Sequence, residues 1–265
     1  STGWFGLSTA EFLMPVTIIY ALTIMDWRNI WIIISVAIIL FLPLISYFLV
    51  KEVKLSSRED DNEVIKENIK QWKRSEVIKD YRFIIIALNM LAMPWIATGI
   101  FVYQSFILSA KNWGEYTIAQ SFMVYSIASV LTLFVAGYLI DKFSSRKLLI
   151  YMNIPFLISL LILIYFQSPV SSFFFLGLIG VSNGFANVLG SSTWAELYGV
   201  RFIGSIKALT TALMVFSTAF GTAFFGLMID FDFSIEQISM ISAGYILISL
   251  ILLFSIKNKL NPTVL

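Results

Sequence analysis

The chain has no cysteine and no histidine. Thiolate nucleophiles, disulfides, cysteine or histidine metal sites and a histidine proton relay are therefore excluded. What remains is a small set of carboxylate, amide and phenol side chains set in apolar sequence. Glu11 is the one charged residue well inside an apolar run, with Pro15 one turn on. A carboxylate at that depth is costly in a bilayer and usually faces a cavity. Two readings stand for it: a solute or proton site, or a boundary residue that reaches water. Asn89, Tyr103 and Gln104 share one helical stripe with Met93 and Ile100. That stripe suits a cavity wall, or hydrogen bonding between helices and at the membrane surface. Asn183 and Asn187 lie one turn apart on one face. They could hold the polar groups of a solute. Gly180 and Gly184, between which Asn183 sits, have the spacing of close helix packing, and Gly221, Ala223 and Gly226 read as packing alone.

These residues need elements to hold them, and the composition says which. Hydrophobic residues make up 58% of the 265 and charged residues 13%, with a mean hydropathy of +0.86. An average soluble domain is about a quarter charged, so the chain reads as a polytopic membrane protein. Nothing in it suggests nucleic-acid binding. Apolar segments fall at about 5–25, 30–50, 83–108, 117–140, 148–166, 171–193, 207–229 and 235–256. All are expected to be helices, because an open strand cannot satisfy its backbone in lipid. The chain starts without Met and almost inside the first segment, which reads as an internal cut, and no cleavable signal peptide is visible.

Sixteen of the eighteen Lys and Arg fall on one side of these segments, leaving only Arg28 and Lys111 on the other. The positive-inside rule puts the rich side, with both ends of the chain, in the cytoplasm. Half of all charges lie in 51–82, which is expected to be a cytoplasmic linker. Ile65, Ile69 and Trp72 share a helical face there, suggesting a short amphipathic helix on the membrane surface. Trp27, Trp113 and Trp194 sit at segment ends and suggest an aromatic belt, while Trp95 beside Pro94 is deeper.

Between two apolar runs lies Gly137-Tyr-Leu-Ile-Asp141-Lys142-Phe-Ser-Ser-Arg146-Lys147, a tight charged elbow. Asp141 can pair with Arg146 or Lys147, or accept from the start of the next helix. The stretch resembles the G-x-L-x-D-[RK]-x-G-x-[RK] signature of the major facilitator superfamily, with Ser144 where a second glycine is expected. Thr98-Gly99-Ile-Phe-Val-Tyr-Gln104 and Lys111-Asn-Trp-Gly114 look like that family's seventh helix and the loop after it. Trp194-Ala-Glu196-Leu-Tyr-Gly199-Val-Arg201 looks like a connection in bacterial members grouped with monocarboxylate-type carriers. Asp26-Trp27-Arg28 resembles the family's Gly-Trp-Arg.

The resemblance implies an all-α fold: a polytopic membrane helix bundle, eight transmembrane helices of an incomplete twelve-helix major facilitator fold. Residues 1–50 would be the last two helices of the N-terminal half, 51–82 the linker, and 83–265 the C-terminal half. The partners implied are the lipid bilayer, the missing N-terminal helices, a small-molecule solute and a coupling proton or other ion, with no cofactor. The function implied is secondary active transport by alternating access in a bacterial inner membrane; a non-transporting receptor or scaffold of the same fold is the alternative. Asp141, Arg146, Lys147, Glu196 and Arg201 are then expected to form a charge network that parts as the carrier changes state. An enzyme is not expected.

Overall fold

The computed structural model describes residues 13–14, 16–50 and 70–262, apart from the side chains at 45–50 and 191. Glu11, Pro15, Ile65 and Ile69 lie outside the described residues. Residues 13–14 and 16–22 are helical. Beyond them, in chain order, come α1 (Trp27–Val50), a single turn α2 (Arg74–Val77), α3 (Tyr81–Ala92), a π-helical turn Met93–Ala97, α4 (Thr98–Val102), α5 (Gln104–Lys111), α6 (Glu115–Phe143), α7 (Ser145–Met152), α8 (Ile154–Tyr165), α9 (Ser171–Tyr198), α10 (Ile203–Asp230), α11 (Ile235–Ser255) and a 3₁₀ turn Lys257–Lys259.

Among the described residues seven stretches are long and apolar enough to cross a membrane: α1, Tyr81–Val102, α6, Ser145–Tyr165, α9, α10 and α11. They coincide with the second to eighth apolar segments of the sequence. Several are longer than the apolar run that marks them. The α9 helix continues past Glu196 to Tyr198, and α6 runs from Glu115 through Asp141 and Lys142 to Phe143. A helix of such length is roughly 42 Å long against a hydrocarbon core of about 30 Å. Its end turns can therefore carry charge in the interfacial region.

The Tyr81–Val102 span is not one regular helix. Pro94 has no N–H to give the carbonyl of Met90 and widens the turn, and Met93–Ala97 become π-helical. The neighbouring helix reaches this turn: the Ser217 hydroxyl of α10 donates to the Leu91 carbonyl, next to that of Met90, at 3.1 Å. A second break at Tyr103 separates α4 from α5.

Close approach of backbones explains the packing. A Cβ on Gly180 would lie 2.3 Å from the Tyr125 carbonyl oxygen, and one on Gly184 would lie 2.6 Å from that of Ser129. Only glycine lets α9 lie this close to α6. Likewise a Cβ on Gly221 would meet the Trp95 carbonyl at 2.0 Å, seating α10 on the π turn. Trp95 is buried there, edge-on to Phe220, Phe224 and Tyr245, and is held by this aromatic cluster.

The linker's end departs from the expected amphipathic helix. Residues 70–73 are not helical. Trp72 packs edge-on to Tyr198, 5.5 Å between ring centroids, and its backbone N–H donates to the Tyr198 carbonyl at 3.0 Å. The chain here is bolted to the end of α9, with the Arg201 backbone N–H donating to the Gln71 side-chain oxygen at 3.0 Å. Gly199 makes room for it: φ is +82°, and a Cβ would stand 2.2 Å from that same oxygen. Two tryptophans also differ from the aromatic-belt reading. Trp113 and Trp194 are buried in protein, the first donating to the Gln167 carbonyl and the second stacked on Tyr198. Trp27 is exposed.

Candidate functional site

A cavity of about 480 Å³ opens between α3, the π turn, α4, α6, α7, α9 and α10. That volume suits a small organic ligand. Its polar lining comes from Thr98 on α4, Asn183 and Asn187 midway along α9, and Lys207, Thr210 and Thr211 on the first turns of α10. The rest is largely apolar, with Met90, Met93, Phe101, Trp194 and Met214 prominent. The π turn itself contributes Met93, Pro94 and Ala97, so the irregular backbone forms part of the wall.

The two asparagines on α9 are not equivalent. Asn183 donates to the Ser129 hydroxyl of α6 at 3.0 Å, which orients its amide. The Asn187 side chain makes no hydrogen bond with the described residues and is only partly buried. Its donor and acceptor are thus both available to a ligand.

The other amide and phenol candidates lie elsewhere. Asn89 is fully buried: its side chain donates to the Ser249 hydroxyl of α11 at 3.3 Å, and its backbone carbonyl accepts from the side chain of Asn153, between α7 and α8, at 2.6 Å. Tyr103 places its hydroxyl where a Cβ on Gly226 would stand. Gln104 lines a separate crevice of about 10 Å³. None of the three is on the lining of the large cavity. Helical periodicity put them on one stripe, but the π turn lies between Asn89 and Tyr103 and rotates the residues beyond it.

At the elbow, Arg146 pairs with Glu196 of α9, Nε to Oε1 at 2.9 Å. The Glu196 carboxylate also accepts from the Ser144 hydroxyl and, at 3.0 Å, from the Ser145 backbone N–H at the start of α7. It caps that helix from outside the local sequence. Arg146 reaches onward to the Leu260 carbonyl at 3.1 Å and the Asn261 side chain at 2.8 Å. Arg82, paired with Asp80 at 2.8 Å, donates to the Asn261 carbonyl from the other side at 2.8 Å. Asp141, Lys142 and Lys147 are exposed, and their side chains form no ion pair among the described residues. Arg201 is exposed beside Phe202 and does not pair with Glu196. Gly137 has open space around its α-carbon. Nearby, Glu76 accepts the Lys73 backbone N–H and then the Lys70 ammonium, which holds its carboxyl below the usual range.

Sequence reasoning missed a pair at the opposite end. The Lys111 ammonium, fully buried, meets Glu236 at 2.7 Å and ties the end of α5 to the start of α11. Asn112, at φ 52°, ends α5 in the left-handed conformation and turns the chain into Trp113. A separation of 125 positions leaves no local signal for such a pair.

Seven apolar spans among the described residues, with a cavity walled by several of them, describe a polytopic membrane helix bundle. The sequence profile of the Major Facilitator Superfamily matches residues 4–222 and 84–264. The chain belongs to the Major Facilitator Superfamily. It is thus an integral, multi-pass membrane protein and a membrane transporter of that superfamily. No curated protein matches the chain.

Proposed function

We propose that this superfamily member moves a small solute by alternating access and that the cavity is its half of the solute site. The observation that carries this reading is the space of about 480 Å³, on whose wall the Asn187 amide has no partner among the described residues. Ligand sites in carriers lie near the middle of the membrane, where irregular helices meet. Asn187 is near the middle of α9, and the π turn lies across the same cavity. Asn183, Thr98 and Thr210 would share the polar contacts.

In this reading residues 1–50 belong to the first half of a two-half carrier, 51–82 to its linker and 83–265 to the second half. The end carrying the elbow, the linker and the tail would face the cytoplasm, on its excess of Lys and Arg. Transport would be driven by a proton or other ion gradient, with Glu11 as the coupling carboxylate on its sequence position alone. The exposed Asp141, Lys142, Lys147 and Arg201 would face the other half, and Arg146 with Glu196 would hold their platform.

The test is uptake into proteoliposomes by the intact protein under an imposed proton gradient, with Asn187→Ala and Glu11→Gln beside it. Gradient-driven accumulation of a solute, lost in both variants, is the expected result. Absence of accumulation for every solute in a panel of carboxylates, sugars, amino acids and aromatic amides would overturn the reading.

A further inference from the structure

Four of the chain's nine methionines line this one cavity: Met90, Met93, Met152 and Met214. They make up a fifth of its twenty lining residues, whereas methionine is nine in 265 of the chain. The enrichment is local and comes from four separate elements: α3, the π turn, α7 and α10. Methionine is unbranched, with three rotatable bonds and a polarisable sulfur, and it fills irregular gaps at little cost. Surfaces rich in it repack around ligands of different shape. At the α9–α6 contact and where α10 meets the π turn, packing relies on glycine contacts that cannot give. The cavity wall therefore differs in kind from the helix interfaces around it.

The methionines also differ in how far they stand into the open space. Met93 and Met152 line it with little exposed surface, Met90 is partly buried, and Met214 is 47% exposed. Met93 sits in the π turn, whose backbone is already irregular. Leu91 in the preceding turn is held by Ser217. The polar groups are fewer: the Asn187 amide, without a partner among the described residues, shares the lining with threonine hydroxyls and Lys207.

We propose that the cavity is a shape-tolerant site for small amphiphiles, in which methionines repack around the apolar body of the solute and the polar head is held near Asn187. The proposal rests on the cavity being the solute site of the carrier. It assigns Met90 and Met214 as specificity-determining residues that keep selectivity low. A wall of branched side chains would fix one body shape, because a β-branched residue in a helix has essentially one χ1 rotamer.

The probes are 1-naphthamide and 2-naphthamide, which share one amide head and nearly equal apolar area and differ in shape. Affinity is read from the ligand-induced rise in melting temperature of the intact protein in detergent. The wild type is expected to bind both within about threefold of each other. Met90→Ile/Met214→Ile, similar in volume but stiff, is expected to separate them by at least tenfold. Met90→Leu/Met214→Leu, which keeps an unbranched Cβ, is expected to stay within about threefold. A wild type that separates the isomers tenfold, or binds neither, overturns the proposal without reference to any variant. An isoleucine variant that folds and keeps the wild-type ratio overturns it too. The same probes are offered to proteoliposomes. Tolerant binding with no solute accumulated would remove the transport reading and leave the site standing. Accumulation with sharp isomer selectivity would remove the shape-tolerant site and leave transport standing.

Discussion

Arg146 pairs with Glu196, fifty positions on, and not with Asp141 in its own elbow. Both partners belong to the same packed set of helices, together with the tail residues Leu260 and Asn261. A pair of this kind fixes helix ends within one unit. A gate between two units needs charges that are left open, and Asp141 is one. Glu196→Gln is therefore expected to act on stability, costing about 2 kcal/mol through weakened charge-assisted bonds to Arg146 and Ser145. Asp141→Asn is expected to leave the melting temperature unchanged and slow turnover. Thermal unfolding and uptake, measured on both variants, check this; equal melting temperatures for the two would show that the pair stabilises nothing.

Ser144 holds a backbone conformation that suits glycine, with φ 80° and ψ 141°. Such a position costs a non-glycine residue about 1–3 kcal/mol. Its hydroxyl bond to Glu196 offsets part of that cost. Ser144→Gly loses the bond and the strain together, so its stability should stay within about 1 kcal/mol of wild type. Ser144→Ala loses the bond and keeps the strain, and should melt lower than Ser144→Gly. The reverse order would mean that the backbone strain is not real.

The spans were legible because lipid admits few architectures and the apolar runs are long. Among the described residues seven of the eight segments are helices long enough to span, with ends displaced by up to five residues where charged turns extend them. Glycine packing was legible at Gly180, Gly184 and Gly221, where spacing alone carries the information. The stripe of Asn89, Tyr103 and Gln104 was not resolved into its parts, since a π turn lies inside it. Tryptophan position gave a membrane boundary for Trp113 and Trp194, whereas both are buried, Trp113 against Gln167 and Trp194 against Phe83 as well as its neighbour Tyr198. Long-range partners such as Glu236 for Lys111 leave no trace in a single sequence.

That pair should respond unequally to loss of either member. Lys111 has no exposed side-chain surface, while Glu236 keeps a third of its own. Glu236→Gln strands a buried ammonium and is expected to cost about 3–5 kcal/mol. Lys111→Met leaves a carboxylate that can reach water and should cost less. Lys111→Met/Glu236→Gln together should recover most of the loss. Melting curves of the three variants decide it, and simple additivity in the double variant would mean that the two groups do not interact.

Two glycines of the same type should behave in opposite ways. Gly180 faces the Tyr125 carbonyl at a distance no Cβ tolerates, so Gly180→Ala must push α9 off α6. The expected cost is about 1–3 kcal/mol. Gly244, inside α11, has nothing within 4 Å of a Cβ. Gly244→Ala is expected to stabilise by about 0.5–1 kcal/mol. Neutral behaviour at Gly180 in thermal unfolding would show that the two helices can separate there without loss.

Asn187 and Asn89 offer the sharpest contrast between binding and packing. Both are amides deep in apolar helices. Asn89 is fully buried and its amide N–H donates to α11, whereas Asn187 is on the cavity and its amide is bonded at neither end to the described residues. Asn89→Ala removes one interhelical bond and should cost about 1 kcal/mol of stability. Its apparent KM for the transported solute should not move. Asn187→Ala removes no hydrogen bond with the described residues, so its melting temperature should match wild type. If its amide holds the solute's polar head, the apparent KM should rise roughly tenfold, the worth of one good hydrogen bond in a dry site. Asn187→Asp would add an uncompensated charge to an apolar wall and should bind more weakly still, unless Lys207 reaches it. An unchanged KM in Asn187→Ala, with normal folding, would place the polar head elsewhere on the wall, and Thr98 or Thr210 would be the next residues to change.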